Sequence, residues 1–129
     1  MLRKSLYDNI TQGKDLKVWH KSIDFADKVI ELLENLNSNR KHFRIIEQIE
    51  SASTSVSSNI AEGKGRYSKK EFIHYLYISR GSLNETISLL NVLAKRKWIT
   101  LEQLESLERD GIEIIRMIKA LINAISEKK

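Results

Sequence analysis

The sequence predicts an all-α fold, an antiparallel up-down-up-down bundle of four helices. The 129 residues include five glycines and no proline, whereas average usage would give about nine and six. The chain therefore lacks the turn residues that many short strands require. Four long segments instead carry apolar residues at the helical spacings of three and four. Connections of about five to seven residues between them favour antiparallel neighbours in a single domain that covers residues 1–129.

The first predicted helix covers residues 15–36, after an N-terminal arm of residues 1–13. Asp15 suits the N-cap position because its carboxylate can accept hydrogen bonds from the free amides of the first turn. Asn and Ser side chains around residue 36 compete for backbone hydrogen bonds and favour the end of the helix. The apolar residues form two stripes, with Leu16, Trp19, Ile23, Ala26, Ile30 and Leu33 in the first and Phe25, Val29, Leu32 and Leu36 in the second.

The second predicted helix covers residues 42–62. Residues 51–58 are mostly Ser and Thr, which by intrinsic propensity favour a loop or a weak strand. The apolar register passes through this segment unbroken, so we expect the helix to continue and its small side chains to let a neighbouring helix approach closely. Gly63 and Gly65 predict a left-handed C-cap and a turn.

The third and fourth predicted helices cover residues 68–97 and 100–126. Each begins with a capping box, in which a hydroxyl group and a Glu or Gln side chain bond free amides of the first turn reciprocally. Gly81 and Gly111 lie inside these helices, where we expect tight packing. The capping residues are Ser68, Glu71, Thr100 and Gln103.

The apolar arcs of these helices are broader than one four-helix core requires. This excess predicts a second buried surface and therefore self-association. The alternative is a monomer with a few exposed Leu and Ile side chains, which are common on the surfaces of monomers.

The net charge of +5 is concentrated in residues 63–97, which hold eight basic and two acidic side chains. The predicted topology divides most of these cations between the two ends of the bundle. Cations interleaved with aromatic residues can follow phosphates and stack bases, although lysines near helix caps are often simply solvated. The predicted nucleic-acid-binding residues are Arg40, Lys41, Arg44, Lys95, Arg96 and Lys97 at one end, Lys64, Arg66, Tyr67, Lys69 and Lys70 at the other, and Arg80 along the third helix.

Several kinds of site are excluded or disfavoured. The absence of cysteine excludes disulfides, thiolate zinc sites and a cysteine nucleophile. Glu71 and His74 form one Glu-x-x-His motif, but a di-iron site in a helical bundle needs a second. We therefore predict a protein that is not an enzyme and needs no cofactor or metal.

No apolar run of 18 residues and no apolar signal-peptide core occur, so we expect a cytoplasmic protein without a membrane partner.

Three motifs occur in order along the chain. They are DLKVW at residues 15–19, SNIAEG at residues 58–63, and SKKEF at residues 68–72 followed by GSLNE at residues 81–85. Over residues 14–126 the sequence resembles the bacterial four-helix-bundle proteins encoded in 23S rRNA intervening sequences. The resemblance implies a homopentameric barrel and kinship with the nucleic-acid-binding accessory protein of diversity-generating retroelements. RNA binding is the usual proposal for the family, and the resemblance implies no catalytic residues.

The sequence departs from the family pattern at two places. Ser57 stands where relatives usually carry proline, so we predict a straight, fully hydrogen-bonded second helix through residues 53–57. Glu50 and Ser51 stand where an arginine pair often occurs; if that pair contacts nucleic acid in relatives, this protein must use other cations. We interpret the signature as structural; its residues are Ser58, Asn59, Ile60, Ala61, Glu62 and Gly63.

These observations predict a basic, non-enzymatic oligomer that binds RNA. The alternative is a protein-interaction scaffold that docks a partner such as a reverse transcriptase.

Overall fold

The structure, a computed structural model, describes residues 13–37 and 42–127, with side chains described from residue 17 onward. The described residues form four helices and no strand, which confirms the all-α prediction. Their bounds differ from the predicted ones by one or two residues at each end. The helices are α1 (Gly13–Glu34), α2 (Phe43–Lys64), α3 (Lys69–Lys95) and α4 (Leu101–Glu127).

Some predictions fall outside the described residues. These are the arm at residues 1–12, and Arg40 and Lys41 in the connection between α1 and α2. Within the described ranges, none of the four helices combines the length and apolarity that a membrane crossing requires.

The start of α1 differs from the prediction. Gly13 and Lys14 are already helical, so Asp15 lies within the first turn and is not the N-cap. Neither of these two residues prevents the helix from extending towards the N-terminus, because neither is proline.

The four helices pack around one hydrophobic core. In α1 the buried apolar residues are Val18, Phe25, Ala26, Val29 and Leu33. The core therefore receives two residues of each predicted stripe, Ala26 and Leu33 of the first and Phe25 and Val29 of the second, together with Val18, which belongs to neither. Ile23 of the first stripe is 41% exposed, because both stripes are helical and only the positions of neighbouring helices determine which one is buried.

The Ser-rich segment is helical, and α2 is continuous through residues 53–57. Its buried hydroxyl groups bond to carbonyl groups of the preceding turn, Ser53 to Glu50 at 3.1 Å and Ser57 to Thr54 at 3.3 Å. These bonds satisfy polar atoms that burial would otherwise penalise. Propensity is overridden because the segment packs against the core and its hydroxyl groups find acceptors in their own helix.

The helix C-caps do not follow the predicted glycine chemistry. Gly65 caps α2 in the right-handed conformation, at φ −78°, so the predicted left-handed cap is wrong. Gly63 instead lies inside α2, where an added Cβ would stand 2.7 Å from Cβ of Tyr75. The glycine is needed for the close approach of α2 and α3.

The two glycines inside α3 and α4 differ from each other. An added Cβ on Gly111 would meet Cδ1 of Ile87 at 3.3 Å, as expected for tight packing. An added Cβ on Gly81 would meet nothing within 4 Å, so the predicted close helix crossing at Gly81 is wrong within the described part of the chain.

Contacts between neighbouring helices follow one pattern. In the three pairs α2–α3, α3–α4 and α1–α4, residue numbers rise along one helix as they fall along the other. The pairs are Gly63 with Tyr75, Val56 with Ser79, Ser55 with Ser82, and Gln48 with Glu85 for α2 and α3; Ile87 with Gly111 and Asn91 with Glu108 for α3 and α4; and Lys21 with Glu113 and Lys28 with Asp110 for α1 and α4.

Substitution of Gly63 by alanine tests the close approach of α2 and α3. We expect Gly63→Ala to lower the free energy of unfolding by about 1–3 kcal/mol, because the added methyl group overpacks against α3. Gly81→Ala is the matched control, and removing a glycine from an open helical position should raise stability by about 0.5–1 kcal/mol. Denaturant unfolding at one fixed protein concentration measures both effects. Equal effects of the two substitutions would contradict this account of Gly63.

Candidate nucleic-acid interface

Arg66 lies in the α2–α3 loop, residues 65–68, and is held by its own protein. Its guanidinium donates hydrogen bonds to Glu62 Oε2 at 2.8 Å and to the Tyr75 hydroxyl at 2.7 Å. Glu71 Oε2 lies 4.0 Å away, and the guanidinium carbon is 4.9 Å from the centre of the Tyr75 ring. Two carboxylates thus neutralise the Arg66 cation, and its contacts attach the loop to α2 and α3.

The end of the same loop is fixed by the predicted capping box. Ser68 is the N-cap of α3, and its Oγ accepts a hydrogen bond from the Glu71 amide at 3.0 Å. The Ser68 hydroxyl also lies 3.2 Å from Glu71 Oε1. The residues on both sides of Tyr67 are therefore anchored.

Around this anchored loop, the remaining predicted residues face solvent to different degrees. Tyr67 is fully exposed, at 106% of the reference value, and Lys69 and Lys70 are exposed as well. Lys64 is half-buried, with its ammonium 5.8 Å from the centre of the Phe72 ring. This end of the molecule therefore presents one aromatic ring with lysines close by in sequence.

Arg80 does not join this loop. It lies ten residues beyond Lys70 on α3, or about 15 Å along the helix axis. Its guanidinium carbon stacks 4.8 Å from the centre of the Tyr77 ring, and Tyr77 is itself 46% exposed. The structure thus separates Arg80 from the end clusters.

At the opposite end of the helices, the connections on either side of α2 and α3 meet at Trp98. The backbone amide of Asn37 donates to the carbonyl of Trp98 at 3.2 Å, and the rings of His42 and Trp98 lie 4.4 Å apart. The described parts of the α1–α2 and α3–α4 connections therefore meet, as predicted. Arg44 lies at this end and is exposed.

Lys95, Arg96 and Lys97 are exposed at the end of α3. Lys97 has a φ of 63°, and its amide donates to the Ala94 carbonyl at 2.9 Å while the Trp98 amide donates to Leu93 at 3.0 Å. This is the Schellman geometry, which usually places glycine at the left-handed position. Sequence inspection missed it because a lysine occupies that position.

The cations of this end are less neutralised than Arg66. Among residues 42–127, no carboxylate forms an ion pair with Lys95, Arg96 or Lys97. Arg96 lies 5.9 Å from the centre of the Trp98 ring. A cleft of about 920 Å³ opens beside them, lined by Asn35, Asn37, Asn91, Ala94, Lys95, Lys97, Trp98, Ile99, Thr100, Leu101, Gln103 and Leu104.

Residues of the SNIAEG signature mostly contact their own protein. The side-chain amide nitrogen of Asn59 donates to the Ser55 carbonyl at 2.8 Å, and the Ser55 hydroxyl lies 2.8 Å from the Ser82 hydroxyl on α3. Ile60 is fully buried, and the Ala61 carbonyl accepts from the Gly65 amide at 3.2 Å. Ser58 bonds back to the Ser55 carbonyl at 3.3 Å. Such contacts are those that a structural role requires.

Sequence reasoning missed two features of the charge distribution. The pairing of Arg66 with Glu62 follows their spacing of four residues on one helical turn, which was a signal available in the sequence. Three exposed cations on α4 were also omitted because they are dispersed among acidic residues: Arg109, Arg116 and Lys119.

Two results bear on metal and proton chemistry. No group of three residues able to hold a metal ion occurs among the described residues, so Glu71 and His74 have no third ligand there.

The pKa of Lys21 is raised because its ammonium bonds to Glu113 at 2.7 Å. That exposed pair joins α1 to α4 and lies outside both basic ends.

Comparisons with a family model and with solved structures both find similarity to this chain. A family model described as 23S rRNA-intervening sequence protein matches residues 14–120. The chain is also similar to a solved structure from Bacteroides thetaiotaomicron VPI-5482, described as a protein with unknown function from the S23 ribosomal protein family. The two are 34% identical with a TM-score of 0.75, and the match covers 81% of this chain and 97% of that chain. The comparison with curated proteins gives no match.

Two single substitutions separate the anchoring cation from the solvated ones. Arg66→Ala should lower the free energy of unfolding by about 1 kcal/mol, because it removes a ring contact, a hydrogen bond and an exposed ion pair. Lys70→Ala is the matched control and should change stability by less than about 0.5 kcal/mol. Thermal or denaturant unfolding measures both. A Lys70→Ala loss as large as that of Arg66→Ala would disprove the anchoring role.

Proposed function

Because the chain belongs to the 23S rRNA-intervening sequence protein family, we propose that it is a non-enzymatic oligomer that binds RNA. The observation that carries the proposal is the placement of the exposed cations. Exposed cations lie at both ends of α3, and Lys95, Arg96 and Lys97 have no ion-pair partner in the described part of the chain. Clustered, uncompensated cations favour binding to phosphate backbones.

Binding would proceed mainly by charge neutralisation. Each cation that approaches a phosphate releases condensed counterions, so affinity falls steeply as the salt concentration rises. The exposed lysines at both ends suit this mode of binding. Asn35 and Asn91, which line the cleft beside Trp98, donate their side-chain N–H groups within the protein, and their side-chain oxygens can accept from base edges.

Self-association is the second part of the proposal. Several large apolar side chains are exposed among the described residues, and a homopentameric barrel would bury part of this surface. Five copies around one axis would also turn each basic end into a ring of cations. The exposed apolar side chains are Ile23, Phe43, Tyr67, Tyr77, Ile78, Val92, Leu101 and Ile112.

The same apolar surface supports the alternative function. A protein-interaction scaffold would cover it with a partner such as a reverse transcriptase rather than with further copies of the chain. The exposed cations favour the RNA proposal, because a protein partner alone leaves them unexplained. Either function belongs in the cytoplasm.

Salt-dependent binding tests the proposal. A fluorescein-labelled 20-nucleotide single-stranded RNA should bind at low salt, and each lost phosphate contact should reduce the slope of log affinity against log salt by about 0.7. Lys69→Gln/Lys70→Gln and Lys95→Gln/Arg96→Gln each remove two cations from one end. The end that contacts RNA should lose about 1 to 1.5 from the slope.

The control for this experiment is Arg109→Gln/Lys119→Gln, which removes the same charge from the side of α4. It should leave the slope unchanged. Absence of wild-type binding at low salt would refute RNA binding. An equal reduction of the slope in all three variants would show that binding depends on net charge and not on where the cations lie.

Light scattering tests the assembly. Five copies of a 15.0 kDa chain should give a particle of about 75 kDa, five times the chain mass. Ile112 is 50% exposed, so we expect Ile112→Lys to keep the helical fold. A lower particle mass for this variant, with an unchanged circular dichroism spectrum, would indicate that Ile112 lies at the interface between copies. Ser88→Lys on exposed α3 surface is the control for added charge. A wild-type mass of a single chain would refute the pentamer.

A further inference from the structure

Tyr67 is an aromatic residue that the fold exposes completely. Its relative exposure is 106%, the highest among the large apolar and aromatic side chains described. By comparison, Tyr77 is 46% exposed and lies against Arg80, and Tyr75 is half-buried against Arg66. The core gains nothing from the Tyr67 ring, and both ring faces are open to solvent.

The backbone on either side of Tyr67 is held in place. The Arg66 amide donates to the Gly63 carbonyl at 3.1 Å, and the Arg66 side chain is bonded to Glu62 and Tyr75. On the other side, Ser68 forms the N-cap of α3. A ring on an anchored backbone loses less conformational freedom on binding than a ring on a flexible loop.

The residues around the ring are cationic. Lys64, Lys69 and Lys70 lie within three positions of Tyr67 in the sequence, whereas Glu62 and Glu71 face Arg66. Residues 62–71 thus carry four cations and two carboxylates. The charge near the ring favours an anionic ligand that also has a flat apolar face.

A nucleobase joined to phosphates has both properties. In a duplex the base faces are already stacked on one another, and protein side chains reach only base edges and the backbone. Unpaired bases in single strands and loops can stack on aromatic side chains while lysines follow the backbone. The exposed ring therefore distinguishes between two classes of RNA.

We infer that Tyr67 is a stacking platform for an unpaired base, so that the α2–α3 loop binds single-stranded or looped RNA in preference to a duplex. Arg66 is then a positioning residue that holds the platform, and Lys69 and Lys70 meet the phosphates beside the stacked base. This inference rests on the proposed RNA-binding function and specifies its ligand.

The experiment compares two probes at equal salt. One is a fluorescein-labelled 12-nucleotide RNA without self-complementarity, and the other is the same strand annealed to its complement. Wild-type protein should bind the single strand more tightly. Tyr67→Ala should weaken single-strand binding about 5- to 100-fold, the range that loss of one base–aromatic stack gives. Duplex binding should remain within about twofold, because it depends on the phosphate contacts that the substitution leaves in place.

Two variants sharpen the comparison. Tyr67→Phe keeps the ring and should retain single-strand binding, which separates stacking from a hydrogen bond of the hydroxyl. Tyr77→Ala removes a partly exposed ring outside the loop and should change single-strand binding less than Tyr67→Ala does. Because Tyr67 is fully exposed, its substitution should leave the unfolding midpoint unchanged.

Three results would overturn the inference. They are equal single-strand affinities for wild type and Tyr67→Ala, wild-type affinity for the duplex as high as for the single strand, and a lower particle mass for Tyr67→Ala in light scattering. The last result would place the ring against protein instead of RNA. In each of these cases RNA binding by the wild type would still support the proposed function, which fails separately if neither probe binds.

Discussion

The close approach of α2 and α3 is the constraint on which the candidate site depends. Gly63 leaves room for Tyr75 and Phe72, because any side chain at that position would collide with Cβ of Tyr75 at 2.7 Å. Further along, the Ser79 hydroxyl donates to the Val56 carbonyl at 2.7 Å. Small residues therefore do two things along this seam. They allow two backbones to approach, and their hydroxyl groups bond to polar atoms at the contact.

The same contact determines the electrostatics of the α2–α3 loop. Since α3 lies so near the end of α2, the Tyr75 hydroxyl and the Glu62 carboxylate both come within 2.8 Å of the Arg66 guanidinium. An arginine that the sequence presents as a free cation is thereby turned into an internal attachment. The ring of Tyr67 and the side chain of Lys70 stay exposed, whereas the opposite end keeps three unpaired cations in the described part of the chain.

The two departures from the family pattern have local physical consequences. Ser57 donates its hydroxyl to the Thr54 carbonyl and keeps the backbone amide that a proline would lack, so α2 runs on without interruption. Glu50 and Ser51 are both exposed, and an acidic residue there disfavours phosphate. Glu50 and Ser51 therefore add no cation to this surface of α2.

The sequence by itself determined the helices, because periodic apolar residues and capping boxes act within a few residues of each other. It also determined where charge is concentrated. The short connections predicted antiparallel neighbours, and the connections on either side of α2 and α3 accordingly meet at Trp98. Tertiary structure decided the rest. Which residues of α1 are buried, and why Gly63 is required and Gly81 is not, depend on distances between helices, as does the bond from Arg66 to Tyr75. Those distances arise from packing between residues far apart in sequence, and a local pattern carries no information about them.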